Sequence, residues 1–316
     1  MLRQLFNPLM FALIAGISLS CNTSVTLQEN LEAIISEYPD ATVAVSVRDQ
    51  SSNTSLDILP DRSFHAASTM KVPVQIEVWR RIQSGSISLD STLEVKNSFR
   101  SIVDGSIYQI EDDSDDAIYQ RLGQQMTITE LVYRMITVSS NLATNLLIDF
   151  LGAESIQATV DSLGASGMRV LRGVEDIKAF NQGLSNSTTA SALATLMEAI
   201  SHGEAIGSLA DQTMVDVLKD QQFNEMIPAG LPSDVIVAHK TGQITQIHHD
   251  AAIIYPPNSP PYVLVVLIEG LDDDTQSAIL GAKITHAVHS ALRGRSKDNS
   301  MRLFPGCILV SSGFNS

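Results

Sequence analysis

The hydrophobic positions change period four times along the chain. Leu31, Ile34, Ile35 and Tyr38 recur at helical intervals, so Leu27–Tyr38 is predicted to be a helix with one apolar face. Val43, Val45 and Val47 then alternate through Ala41–Arg48 as a strand would, with a turn at Ser51-Ser52-Asn53 and a hairpin partner at Ser55–Leu59. From Thr69 the helical period returns. Val72, Ile76, Trp79 and Ile82 mark a helix over Thr69–Ile82, and four more are predicted at Ile128–Met135, Ala143–Phe150, Ala190–Ile200 and Asp211–Leu218. Short β-branched runs resume at Val235–Ala238, Ala251–Tyr255 and Tyr262–Ile268, and Gln276–Leu292 closes as a helix.

This order predicts an α+β fold. An antiparallel sheet would be built from both ends of a 27–295 domain (27–65 and 235–295) with flanking terminal helices. An all-helical part over 66–225 would be inserted between them, and the cleft of such a protein is expected at the junction. Phe99–Tyr119 fits neither period. It carries the run Glu111-Asp112-Asp113-Ser114-Asp115-Asp116, which is expected to be a solvated loop. Residues 297–316 have no clear period and are expected to form a tail.

Composition narrows the function. With 44% hydrophobic residues in 316, the chain can bury a sizeable core. A formal charge of −15 argues against nucleic acid, because phosphate binding needs a basic surface. At the N-terminus, Arg3 precedes an apolar run from Leu9 to Leu19, too short to span a bilayer comfortably, and Cys21 follows small residues. Residues 1–21 are therefore expected to be a signal for export to the bacterial periplasm or cell envelope. Cys21 would be either a lipid-anchor site or incidental, since Ser18 stands where a lipoprotein signal would place Leu. Cys307 is the only other cysteine, so neither a disulfide framework nor a zinc site is expected, and no cofactor is implied.

Three short motifs carry chemistry. In Ser68-Thr69-Met70-Lys71, Lys71 is the only lysine with a serine three positions earlier, and the pair opens an apolar helix. A serine hydroxyl needs an adjacent base to become a nucleophile, and a desolvated lysine can supply one. Ser139-Ser140-Asn141 lies between two helices and offers a hydroxyl and a carboxamide; read alone, it is also an ordinary capping loop. His239-Lys240-Thr241-Gly242 ends the predicted strand Val235–Ala238, presents a cation and a hydroxyl to a carboxylate, and leaves room at Gly242 for a ligand.

Together, in this order, the motifs resemble those of the penicilloyl serine transferases, and most closely the class A β-lactamases. The resemblance runs from about Leu27 to Arg295. It implies that Ser68 attacks a β-lactam or acyl-D-Ala-D-Ala carbonyl, with Lys71 as base and Ser139 passing a proton to the leaving nitrogen. Asn141 would hold the substrate's side-chain amide, and Lys240 and Thr241 its carboxylate. The N–H groups of Ser68 and Gln243 would form the oxyanion hole. Glu175, 36 residues after Ser139 and preceded by Arg172, would activate the deacylating water, unless it merely pairs with Arg172 or Lys178.

The chain also departs from the family pattern. Ala179 stands where the family has a water-holding asparagine, with Asn181 two places on. Ser140 replaces the usual aspartate. His248 and His249 occupy the region of a carboxylate-binding arginine, either as partial cations or as packed imidazoles. Ser68 and Ser139 are 71 residues apart, more than usual, which fits an insertion in Phe99–Tyr119 that could bring Tyr108 or Tyr119 beside the substrate. Three functions follow: a β-lactamase, expected to be monomeric; a D-alanyl-D-alanine peptidase or penicillin-binding protein that deacylates slowly; and a non-catalytic cell-wall-binding module.

Overall fold

The computed structural model describes residues 26–52 and 54–294; the expected signal at 1–21 with Cys21, and the tail at 297–316, lie outside the described residues. Helix α1 (Leu27–Ser36) starts in a capping box. Thr26 Oγ1 accepts the Glu29 N–H at 3.2 Å, and the Glu29 carboxylate accepts the Thr26 N–H at 2.8 Å. Strands β1 (Thr42–Asp49) and β2 (Thr54–Ile58) form a hairpin, and the two-residue β3 (Phe64–His65) leads into the helical part. A 3-10 turn (Ala67–Met70) runs directly into α2 (Lys71–Gln83). Short β4 (Thr92–Glu94) pairs with β7 (Gln125–Thr127), and between them β5 (Phe99–Arg100) pairs with β6 (Ile107–Tyr108).

Helices α3 (Ile128–Thr137), α4 (Asn141–Leu151) and α5 (Ala153–Ser162) follow, then the five-residue α6 (Ile177–Asn181) and β8 (Ser187–Thr188), which pairs with β3. Helices α7 (Ala190–His202) and α8 (Ser208–Lys219) complete the helical part. The chain then returns as β9 (Ile236–Ile244), β10 (Ile247–Tyr255) and β11 (Tyr262–Glu269) and ends in α9 (Asp274–Gly294).

The main sheet is antiparallel in the order β2-β1-β11-β10-β9, so the two ends of the domain meet at β1 and β11, where Val45 lies opposite Val266. Each face feeds a separate core. Val43, Val45, Val47, Leu264 and Val266 pack with Leu31 of α1 and with Leu280, Ile284 and Val288 of α9. Ala44, Ala251, Ile253, Val265 and Leu267 turn the other way, into the core built by α2, α4 and α7. Strands covered on both faces lose polar alternation and read as continuous apolar runs, as β11 and the Ala251–Tyr255 half of β10 do. The fold is α+β, as expected.

Two expectations are corrected. Strand β9 continues to Ile244, so His239–Gly242 lies within a strand rather than at its end. The acidic run is only partly solvated. Asp115 is buried in a bidentate pair with Arg134 (3.0 and 3.1 Å), and Asp113 turns inward to the start of α4, while Glu111, Asp112 and Asp116 remain exposed.

Candidate active site

Ser68 sits in the 3-10 turn at the head of α2. The preceding Ala67 has φ +45°, a left-handed conformation costly for a residue with a Cβ, and its N–H is tied to His65 Nδ1 at 3.0 Å. The turn is clamped from the other side by β9. A Cβ at Gly242 would lie 3.0 Å from the backbone nitrogens of both Ser68 and Thr69. The space expected to receive a ligand at Gly242 is therefore filled by the turn that carries Ser68.

Lys71 is completely buried, and its ammonium donates to three acceptors: Ser139 O at 2.6 Å, Ser139 Oγ at 3.1 Å and Asn141 Oδ1 at 2.9 Å. That satisfies every donor a lysine has. Lys71 thus binds the middle motif, and among the described residues no hydrogen bond joins it to Ser68. Burial, with the charge of Lys240 added, holds its pKa well below the usual lysine value, against the opposing pull of Asp113 and Glu175. Lys240 is also fully buried and donates to Ser139 Oγ at 3.1 Å and Thr241 O at 2.9 Å. Burial brings its pKa down to about 7, with Asp250 pulling upward. One hydroxyl oxygen, Ser139 Oγ, therefore sits between two lysine nitrogens. Ser139 has φ +59° at the α3–α4 junction, which presents its side chain to both.

Glu175 approaches from the loop before α6, also in a left-handed conformation (φ +60°). Its Oε2 accepts the N–H groups of Glu111 (2.8 Å) and Asp112 (3.4 Å), and its Oε1 accepts Asn141 Nδ2 at 3.3 Å. Burial raises its pKa in spite of these donors. The expected alternative partners are occupied elsewhere: Arg172 donates to the carbonyls of Leu184 and Gly173, and Lys178 pairs with Asp104 at 2.9 Å. Asn181, two places past Ala179, is exposed and turned away from the cleft, so it does not stand in for the asparagine absent at Ala179; Ala179 itself is buried.

Three polar residues that hold this loop carried no motif. Asn145 accepts Val174 N–H at 2.7 Å and donates to Val174 O at 3.0 Å. Asn186 binds the backbone of Leu171 and Arg172, and Asp176 accepts from Ser101 Oγ and Ile102 N–H at 2.9 Å each. Asn145 and Asn186 are amides in otherwise apolar or small-residue surroundings, a pattern that marks buried polar groups with a fixed partner.

The histidines do not offer a cation to the cleft. His249 is buried, with Nε2 bonded to His65 O at 3.0 Å and Nδ1 accepting Ile268 N–H at 3.2 Å; burial lowers its pKa to about 4, so the ring is neutral. His248 packs inside against Ser277 Oγ at 3.1 Å. Tyr108 lines the cleft wall, whereas Tyr119 donates to Asp113 Oδ2 at 3.1 Å and stays behind it.

The cleft has two adjoining lobes. One, of about 900 Å³, is lined by Ser68, Tyr108, Asn141, Glu175 and Gln243; the other, of about 550 Å³, by Ser68, Ser139, Asn141, Thr241 and Gln243. A larger surface hollow of about 1070 Å³ lies between α1 and α9, but its charged pair, Glu37 and Lys283, is already satisfied at 2.7 Å. Among the described residues, no three His, Cys, Asp or Glu side chains gather in a metal-binding arrangement.

Comparison with known proteins gives the chain's family. The model of the "Beta-lactamase enzyme family" matches residues 26–292. A β-lactamase of Proteus vulgaris is 26% identical over 276 residues, 84% of this chain and 86% of that protein. The β-lactamase AST-1 of Nocardia asteroides is 34% identical over a shorter 178 residues, covering 54% of this chain and 57% of that one. Among solved structures, PBP-A superposes with TM-score 0.74 at 27% identity, covering 85% of this chain and 96% of that one. An ancestral class A β-lactamase gives 0.73 at 26%, covering 84% and 100%. The chain belongs to the β-lactamase enzyme family, within the superfamily that joins class A serine β-lactamases and PBP-A-like proteins.

Proposed function

We propose that this protein is a serine β-lactamase of the class A type, which opens β-lactam rings through an acyl-enzyme on Ser68. The observation that carries the reading is the Ser139 hydroxyl held 3.1 Å from both Lys71 and Lys240 beside Ser68. The lowered pKa of Lys71 brings its neutral form within reach, and in that form, with one of its three hydrogen bonds given up, Lys71 takes the Ser68 proton as Oγ bonds to the lactam carbonyl. The developing oxyanion is stabilised by the N–H groups of Ser68 and Gln243. Ser139 then delivers a proton to the ring nitrogen as the C–N bond breaks, and recovers one from the lysine beside it. Lys240 and Thr241 hold the substrate carboxylate, and Asn141 the side-chain amide. Glu175 takes a proton from water, whose oxygen attacks the ester, and Ser68 leaves with a proton restored.

A second reading, a penicillin-binding peptidase that deacylates slowly, draws support from Ala179 and from the likeness to PBP-A. One related structure is a point mutant of PBP-A in an acyl-enzyme complex with penicillin G. Stopped-flow turnover of nitrocefin and intact-mass analysis with penicillin separate the two. Fast turnover without adduct is expected, a long-lived adduct on Ser68 selects the peptidase, and folded protein that forms no adduct removes both. Glu175→Ala should slow deacylation by roughly 10²–10⁴-fold, so that the adduct accumulates. Residues 1–21 support a place in the cell envelope, which cell fractionation checks.

A further inference from the structure

The turn Glu111–Asp113 belongs to the segment beyond the three motifs, yet it touches both Glu175 and Asn141. Its N–H groups hold Glu175 Oε2, and its Asp112 carbonyl accepts Asn141 Nδ2 at 2.8 Å. The Asp113 carboxylate takes the first two amides of α4, with Oδ1 accepting Asn141 N–H at 2.9 Å and Oδ2 accepting Leu142 N–H at 2.8 Å. Ser140 Oγ caps only the next amide, Ala143, at 3.3 Å. A carboxylate at a helix N-terminus satisfies orphan donors and meets the positive end of the dipole. Here it comes from 28 residues upstream and grips the residue whose side chain spans the site: Asn141 Oδ1 accepts from Lys71 and Nδ2 donates to Glu175.

We infer that Asp113 is a positioning residue for acyl transfer, fixing Asn141 from outside the motif and, through it, the relative placement of Lys71 and Glu175. It supplies from the inserted segment a carboxylate that the Ser139-Ser140-Asn141 motif itself lacks. The inference rests on the proposed acylation of Ser68. The charged groups facing Lys71 are Lys240 from β9, Asp113 from this turn and Glu175 from the loop before α6.

Asp113→Asn tests it. Asparagine keeps the size but aims an N–H₂ at a backbone N–H, so one cap is lost. The rate of Ser68 acylation by nitrocefin is expected to fall at least about ten-fold, since small misplacements of reacting groups cost that much or more. The acid limb of the acylation profile should also move to lower pH, because a charge that favours protonated Lys71 has gone. Asp116→Asn, in the exposed part of the same run, should stay within about two-fold of the parent. A purely structural role would lower the active fraction but leave the acylation rate per active site at the parental value. A parental rate per active site in Asp113→Asn overturns the inference, whether or not the active fraction falls. If that variant does not fold, Tyr119→Phe, which removes the donor to Asp113 Oδ2, decides it: a several-fold loss supports the role and a parental rate overturns it. Failure of the parent to acylate at all would instead sink the proposed function.

Discussion

Ser139 Oγ lies 3.1 Å from the nitrogens of two buried lysines, an arrangement that cannot tolerate both as cations without cost. The two are biased differently. Burial and the charge of Lys240 favour the neutral form of Lys71, and Lys240, with Asp250 pulling upward, titrates near 7. In the proposed reaction a carboxylate-bearing substrate needs Lys240 protonated, and that form is lost as pH rises. kcat/KM for penicillins should therefore fall on an alkaline limb near 7, carried mainly by a rise in KM. A profile flat from pH 6 to 9 would contradict this assignment. At this scale the chain was legible wherever chemistry is local in sequence. Ser68 and Lys71 are one helical turn apart, and Lys240 and Thr241 are adjacent. Asp113 was not legible, because nothing in a run of acids distinguishes the one that folds inward. The histidines at 248 and 249 were open for a related reason: whether they face the cleft or the interior is set by packing, which spacing does not encode.

Among the elements, β9 departs most from its expected extent. Its polar His-Lys-Thr-Gly stretch has no strand pattern, since Lys240 and Thr241 serve the site while His239 pairs inside with Asp250 at 2.9 Å. Seven helices were legible from their period, and α3 is also capped, with Thr127 accepting Glu130 N–H at 3.2 Å, whereas α5 and the five-residue α6 were not foreseen. The clamp between β9 and the Ser68 turn can be tested by Gly242→Ala. Its added methyl meets backbone that cannot swing aside, so about 1–3 kcal/mol of stability should be lost. Acylation should drop about 10²-fold as the turn is displaced. A variant acylated at the parental rate would show that the clamp does not position Ser68. Within α2, Glu77 is fully buried and accepts from Arg80, Arg81 and Thr159 at 2.6–2.8 Å. Burial opposes its ionisation, but these donors prevail and its pKa is lowered. Glu77→Ala should cost about 3 kcal/mol by chemical denaturation, the low end for a buried pair because both guanidinium groups reach water. The stability Glu77 provides is present above its unfolded value of about 4.5 and is lost as pH falls below it.

For the molecule as a whole, the cleft opens on the side of the inner core, with Tyr108 and Val174 in its wall, and the helix that closes the outer core is the last described element. Removing α9 would bare Val45, Ile254, Leu264 and Val266 on one sheet face. A chain ending at residue 273 is therefore expected to be insoluble or to lack a cooperative thermal transition, and a soluble, cooperatively melting product would show that α9 is dispensable. The sheet order has a further consequence for the sequence of events during synthesis. The second edge of β1 has no neighbour until β11 exists, and Val45 finds Val266 only after more than two hundred intervening residues have been made. Contacts so distant along the chain make folding slow, and they leave the first hairpin waiting with an open edge. Ser68 and Lys71 are made early, but the strand that clamps them is among the last to emerge. An unfinished chain therefore carries the proposed nucleophile without the frame that would hold it in place.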